Sequence, residues 1–170
     1  MNFKKLLIIR HGEKPGDPAV DASTDGINLS TKGYERAGAL APYVPATFGA
    51  PDFLFATKAS NHSNRPVETI TPLSTQTHLD IHSEFEDNQY ANLAEKLTSD
   101  EKYAGKQLLI CWHHGTIPAL VTALGYTPPV AHWPSDSFDR VWVIENTNVT
   151  GAAAQVQNLP QQLLFGDASD

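Results

Sequence analysis

LLIIRHG, residues 6–12, and LLICWHHG, residues 108–115, are two apolar runs that end alike. Neither run alternates apolar with polar residues, so each predicts a strand buried on both faces, as in a parallel sheet covered by helices. Each then delivers histidine followed by glycine at its carboxyl end, the edge where open α/β sheets bind ligands. A strand end with a purely structural role has no use for a cation and an imidazole side by side. Arg10 and His11 therefore mark that edge as a chemical one.

Working outward, the sequence between the two runs supplies further strands and helices. Ser30 and Thr31 are candidate caps of a helix carrying Leu29, Ala37, Leu40 and Val44 at helical spacing and ending at Pro42 and Pro45. DFLFAT, residues 52–57, reads as a short strand. Pro66 suits the first turn of a helix over RPVETITPLSTQT and places Arg65 at its start. Residues 78–82 form a weaker strand, 84–89 an acidic loop and 90–97 a helix. After the second apolar run, a helix over 116–124 has Pro118 in its first turn and Gly125 as its stop. RVWVIE, residues 140–145, is the last clear strand, with 153–159 as its partner, and FGDASD reads as a frayed polar tail. Strands alternating with helices predict an α/β three-layer sandwich with a mostly parallel central sheet. The 170 residues suffice for one domain with one core, residues 1–170.

Composition narrows the function classes. A net charge of −7 opposes nucleic-acid binding, which depends on clustered lysines and arginines. The start, MNFKKLLIIRHG, has too short an apolar run for a signal peptide or a membrane span. One cysteine, Cys111, excludes an internal disulfide framework and fits a reducing compartment, with the cytoplasm as the default. An anionic small substrate remains compatible with an acidic chain where a few arginines converge, so the placement of Arg10, Arg65 and Arg140 matters. Glycine after each histidine permits a sharp turn or close approach of a ligand, and the helix near Thr116 would add amide hydrogens for an oxyanion.

RHGE at 10–13, LSTKGYERAGALA at 29–41, ASNHSNRPVET at 59–69 and HHG at 113–115 together resemble the histidine phosphatase superfamily, with its phosphoglycerate mutase-like fold. The match runs in order over most of residues 6–124. The resemblance implies a phosphatase in which His11 takes up the phosphoryl group as a phosphohistidine that water then hydrolyses. Arg10, Arg65 and His114 would hold the phosphoryl oxygens, with Gly12 and Gly115 bordering the phosphate, and no metal or cofactor is required. The proton donor would lie in HSEFEDNQ, where Glu86 is the first candidate, Glu84 and Asp87 follow, and Glu13 and Asp17 are outside candidates. Side chains alternate along a strand, so His113 and His114 point apart. His114, directly before glycine, is the better match to the motif, while His113 is open between a structural role and the pocket wall. The implied partner is a small phosphorylated substrate or a phosphoprotein, not a nucleic acid or a membrane. Two rival readings are a non-catalytic phosphate- or phosphoprotein-binding module and a phosphoglycerate mutase-like phosphotransferase.

Overall fold

In the computed structural model, which describes residues 3–16, 26–146 and 155–169, six strands form one sheet. In chain order the elements are β1 (Lys5–Arg10), α1 (Thr31–Phe48), β2 (Phe53–Ala56), α2 (Arg65–Thr77), β3 (Ile81–His82), α3 (Tyr90–Ser99), β4 (Gln107–Trp112), α4 (Ile117–Ala123), β5 (Arg140–Glu145) and β6 (Val156–Pro160). Short 3-10 turns at Asp87–Gln89 and Glu101–Tyr103 flank α3. The strand order is β3-β2-β4-β1-β5-β6. The first four are mutually parallel, and β5 and β6 are antiparallel additions at one side.

The two apolar runs are the centre of this sheet. β1 pairs with β4 in a register that sets Leu6 against Leu108, Ile9 against Cys111 and Arg10 against Trp112. Leu7, Ile9, Leu109 and Cys111 pack toward Leu40 and Val44 of α1 and Ile70 and Leu73 of α2. Leu6, Ile8, Leu108 and Ile110 pack on the other face, against Leu93 and Leu97 of α3 and Leu120 and Val121 of α4. Burial on both faces is why these strands read as unbroken apolar runs. Complete burial of each such side chain contributes about 1.5–3 kcal/mol, so the two posts that end in histidine lie in the most heavily buried part of the molecule.

Two local expectations are corrected. Helix α1 does not stop at its prolines: it runs through Pro42 and Pro45 to Phe48, because Leu40, Ala41 and Val44 keep its apolar stripe on the sheet while Pro42 faces solvent. Its start agrees with expectation, since the Ser30 side chain accepts a hydrogen bond from the Gly33 amide at 3.0 Å. Nor is the C-terminal segment frayed. The Gln161 amide donates to the Asp139 carbonyl at 2.7 Å, and the Asp167 carboxylate accepts from the amides of Leu163 and Leu164 at 2.9 and 3.0 Å.

Candidate active site

The β1–β4 register extends one residue past the strands, and this brings His11 beside His113. Their rings meet edge to face with centroids 5.1 Å apart, while the His11 amide donates to the Trp112 carbonyl at 3.2 Å. The ring neighbour of His11 is therefore His113, which the sequence left open between a structural role and the pocket wall. The physical reason is register: counted from the paired leucines, His11 and His113 are equivalent, and His114 is one residue further on. His114 also borders the cleft and, like His113, is half-buried.

His11 is 2% exposed and its Nδ1–H donates to the Gly12 carbonyl at 2.7 Å. That bond fixes the tautomer and leaves Nε2 with its lone pair. Burial, opposed by the bond to Gly12 and reinforced by His113, Arg65 and Arg10, pushes the His11 pKa down to about 2. The imidazole is thus neutral and nucleophilic throughout the ordinary pH range. His113 and His114 are also shifted downward, first by burial.

Arg10 is 1% exposed, and its side chain is held by the loop before β5. Its Nη1 donates to the carbonyls of Ser135 and Ser137 at 2.8 and 2.9 Å and to that of Pro134 at 3.3 Å, and its guanidinium carbon lies 3.7 Å from the centre of the Phe138 ring. The buried Nε has no hydrogen-bond partner among the described residues. An unsatisfied buried donor on a cation costs stability, and a bound anion at this position would complete it. Burial and Arg65 lower the Arg10 pKa to about 10, so it keeps its charge at neutral pH.

Arg65 begins α2 and reaches the same cleft, its Nη1 donating to the carbonyls of Gly26 and Ile27. Arg140 does not join them, for its guanidinium binds the side chain and carbonyl of Asn158 at 2.9 Å each. Thr69, four residues into α2, accepts from the Gly12 amide at 2.8 Å and donates to the Arg65 carbonyl at 2.7 Å, tying the two arginine-bearing segments together. Glu68 braces the same corner through the Leu29 amide at 2.9 Å and the Tyr34 hydroxyl at 3.0 Å.

Gly12, expected to border a phosphate, is not among the described residues that line the cleft. Its amide is taken by Thr69, and a Cβ there would lie 2.9 Å from the carbonyl oxygen of Gly33. The missing side chain lets the loop cross α1 rather than approach a ligand. Gly115 does line the cleft. The amides of Thr116 and Ile117, expected to serve an oxyanion, instead both donate to the His113 carbonyl at 3.1 Å.

These groups converge on a cleft of about 640 Å³. Among the described residues, Arg10, Lys14, Lys58 and Arg65 line it with two carboxylates, Glu86 and Asp87, so the described lining is locally cationic in an acidic protein. Glu86 stands at the rim, 62% exposed, with its carboxylate 3.9 Å from Lys58 Nζ and with Gln89 completing a capping box. Asp87 is set deeper, accepting from the Thr116 hydroxyl and acting electrostatically on both His113 and His114. Glu84 pairs with Lys96 instead and is not among the cleft residues. Asp17 lies outside the described residues. Thr57, just after β2, also borders the cleft, and its buried hydroxyl has no hydrogen-bond partner among the described residues. No motif marks it. Its position after a second apolar strand was the available signal.

Glu13 turns away from the cleft. Its carboxylate binds the buried Arg36 of α1, at 3.0 and 3.1 Å from Nε and 2.7 Å from Nη2. Arg36 is completed by Asp167, at 2.7 and 3.0 Å, and by the Gln161 side-chain oxygen at 3.0 Å. Although burial favours the neutral acid, Arg36 and the amides of Leu164 and Leu163 hold Asp167 down at about 2. Arg36 is shifted upward: burial opposes its charge, and its bonds to Asp167 and Glu13 more than offset that. The acidic residue of RHGE is thus bound to Arg36 and is not among the residues that line the cleft.

No family model matches the chain and no curated protein matches it by sequence. Solved structures do match its fold. The chain is similar to a mycobacterial glucosyl-3-phosphoglycerate phosphatase, with 15% identity, 92% of this chain and 97% of that one covered, and a TM-score of 0.58. It is similar to a phosphoserine phosphatase from Entamoeba histolytica, with 13% identity, 95% and 99% covered, and a TM-score of 0.63. A protein from Escherichia coli assigned as an alpha-ribazole-5'-P phosphatase gives 15% identity, 94% and 97% covered, and a TM-score of 0.65. The fold is that of the histidine phosphatase superfamily, phosphoglycerate mutase-like.

Proposed function

We propose that the chain is a member of the superfamily whose fold it has, and that it hydrolyses a phosphomonoester through a phosphohistidine at His11. The observation that carries this reading is a buried neutral imidazole, its Nδ1 committed to the Gly12 carbonyl, set between Arg10 and Arg65 in a cationic cleft. In the first step His11 Nε2 attacks phosphorus in line. The N–P bond forms as the ester P–O bond breaks, and the leaving oxygen takes a proton from a carboxylic acid of the 86–87 turn. Asp87 is the better placed donor, because it is fixed by Thr116 and faces the histidine pair, whereas Glu86 is at the rim. The resulting carboxylate then removes a proton from water as the water oxygen attacks phosphorus, releasing inorganic phosphate and restoring neutral His11.

Arg10 and Arg65 hold the equatorial oxygens through both steps, and His113 completes the cradle. The cleft opens to solvent past Lys58, Ser60 and His62, all exposed, so water reaches the intermediate and hydrolysis is favoured over retention for transfer. The same opening suits a small phosphorylated substrate or a phosphorylated side chain. The buried free thiol of Cys111 supports a reducing compartment such as the cytoplasm. Turnover of p-nitrophenyl phosphate by intact protein, lost in His11→Ala, is the test. Phosphate binding with no turnover at any pH would leave the non-catalytic binding module.

A further inference from the structure

Two chains of contacts run from the C-terminal segment to the phosphate cradle. One passes from Asp167 to Arg36 and on to Glu13, which follows Gly12 and His11 in sequence. The Glu13 and Asp167 carboxylates grip two adjacent edges of one guanidinium, Nε–Nη2 and Nη1–Nη2, with a contact of 2.7 Å each to the shared Nη2. The other begins at the next residue. The Ala168 amide donates to the Asp139 carboxylate at 2.6 Å, and the other carboxylate oxygen of Asp139 accepts from the Ser137 hydroxyl at 3.2 Å. Ser137 in turn supplies one of the carbonyls that hold Arg10. A ring is closed in this way: RHGE, α1, the tail, the loop before β5, and back to Arg10.

We propose that Asp167 and Asp139 are positioning residues for the phosphate cradle, through which the segment after β6 fixes Glu13 on one side of His11 and the Arg10-binding carbonyls on the other. Neither carboxylate lines the main cleft. The burial of Arg36 makes the device stiff, since its planar fork is fully occupied by Glu13, Asp167 and Gln161 and offers no alternative geometry. Arg10 is vulnerable in a different way. Its Nη1 has three carbonyl acceptors from one loop, so a shift of that loop re-aims the Nε edge that has no protein partner. A displacement of about 1 Å in such a donor costs about a hundredfold in rate.

The inference rests on the phosphate-site reading, and two measurements separate its failure from the failure of that reading. Full-length wild type, Asp167→Asn and Val44→Ala are titrated with inorganic phosphate by calorimetry, well below their melting temperatures. Val44→Ala removes a core contact at the far end of α1 and controls for general destabilisation. Asp167→Asn is expected to weaken phosphate binding about tenfold or more, with Val44→Ala unchanged; wild-type affinity in folded Asp167→Asn overturns the proposal. If Asp167→Asn fails to fold, Asp139→Asn is read in its place: about threefold weakening supports the proposal and unchanged affinity overturns it. The backbone amide signals of Gly12 and Glu13 in nitrogen-15 spectra need no ligand. They are expected to move in the Asp-to-Asn variants and not in Val44→Ala, and unmoved signals overturn the proposal even where wild type binds no phosphate.

Discussion

Gly33 and Gly38 lie in the same helix and should respond to alanine in opposite ways. A Cβ on Gly33 would sit 2.4 Å from the carbonyl oxygen of Glu13, 3.0 Å from its amide nitrogen and 3.1 Å from Leu29 Cβ, whereas nothing lies within 4 Å of a Cβ on Gly38. Alanine in a helix is favoured over glycine by about 0.5–1 kcal/mol, and that gain is available at both positions. At Gly33 it is opposed by overpacking against backbone, which costs about 1–3 kcal/mol. Relief to an ordinary 3.4 Å contact requires the 12–13 backbone to retreat by about 1 Å. The net change in stability is thus modest, a loss of about 0–2.5 kcal/mol, or a few degrees in melting temperature. The effect on chemistry is larger, because the displaced backbone includes the carbonyl that orients His11 Nδ1, and a 1 Å error at a reacting group costs about a hundredfold. Scanning calorimetry and kcat/KM on p-nitrophenyl phosphate should show Gly33→Ala nearly as stable as wild type but about a hundredfold slower, and Gly38→Ala slightly more stable at full rate. Wild-type kcat/KM in Gly33→Ala, or equal losses in both, would refute the reasoning.

Arg36→Met strands the carboxylates of Glu13 and Asp167, and breaking a buried pair in this way costs about 3–5 kcal/mol, read from urea unfolding. Asp87→Asn should lower kcat by about 10²-fold or more and Glu86→Gln by much less; the reverse order would move the proton donor to the rim. His11, at about 2, is protonated in the unfolded state below about 6.5 but not in the folded state. The unfolded chain therefore binds more protons in that window, and stability should fall as pH drops below about 6.5 and stop falling near 2. Nitrogen-15 spectra should show His11 neutral, with Nδ1 protonated, from pH 8 to about 4; a titration near 6.5 would contradict the burial argument.

The sheet was legible because its two central strands are buried on both faces and so carry unbroken apolar runs. The cradle was legible in part, since Arg10, His11 and Arg65 sit where a strand end and a helix start must place them. Glycine as the ruler matches His11 with His114, whereas the parallel register counted from Leu6 and Leu108 makes His11 and His113 equivalent. The functions of Glu13 and Gly12 depend on Arg36 and Gly33 in a helix more than 20 residues away in sequence, and local pattern carries no trace of such partners. The tail looked frayed for the same reason: Asp167 is polar and near the terminus, and only the tertiary fold shows it meeting a buried guanidinium. Thr57 and the carbonyls of 134–137 belong to a class that sequence does not mark, for one is a lone hydroxyl and the others are backbone.

The central claim is covalent capture of phosphorus by His11, and its most direct measurement is trapping the intermediate. Protein mixed with phosphorus-32-labelled substrate is quenched in base, where phosphohistidine survives, then digested and mapped. The account predicts label on the peptide containing His11, present during turnover and absent from His11→Ala. Turnover without labelled protein, or label on a peptide lacking His11, would contradict it.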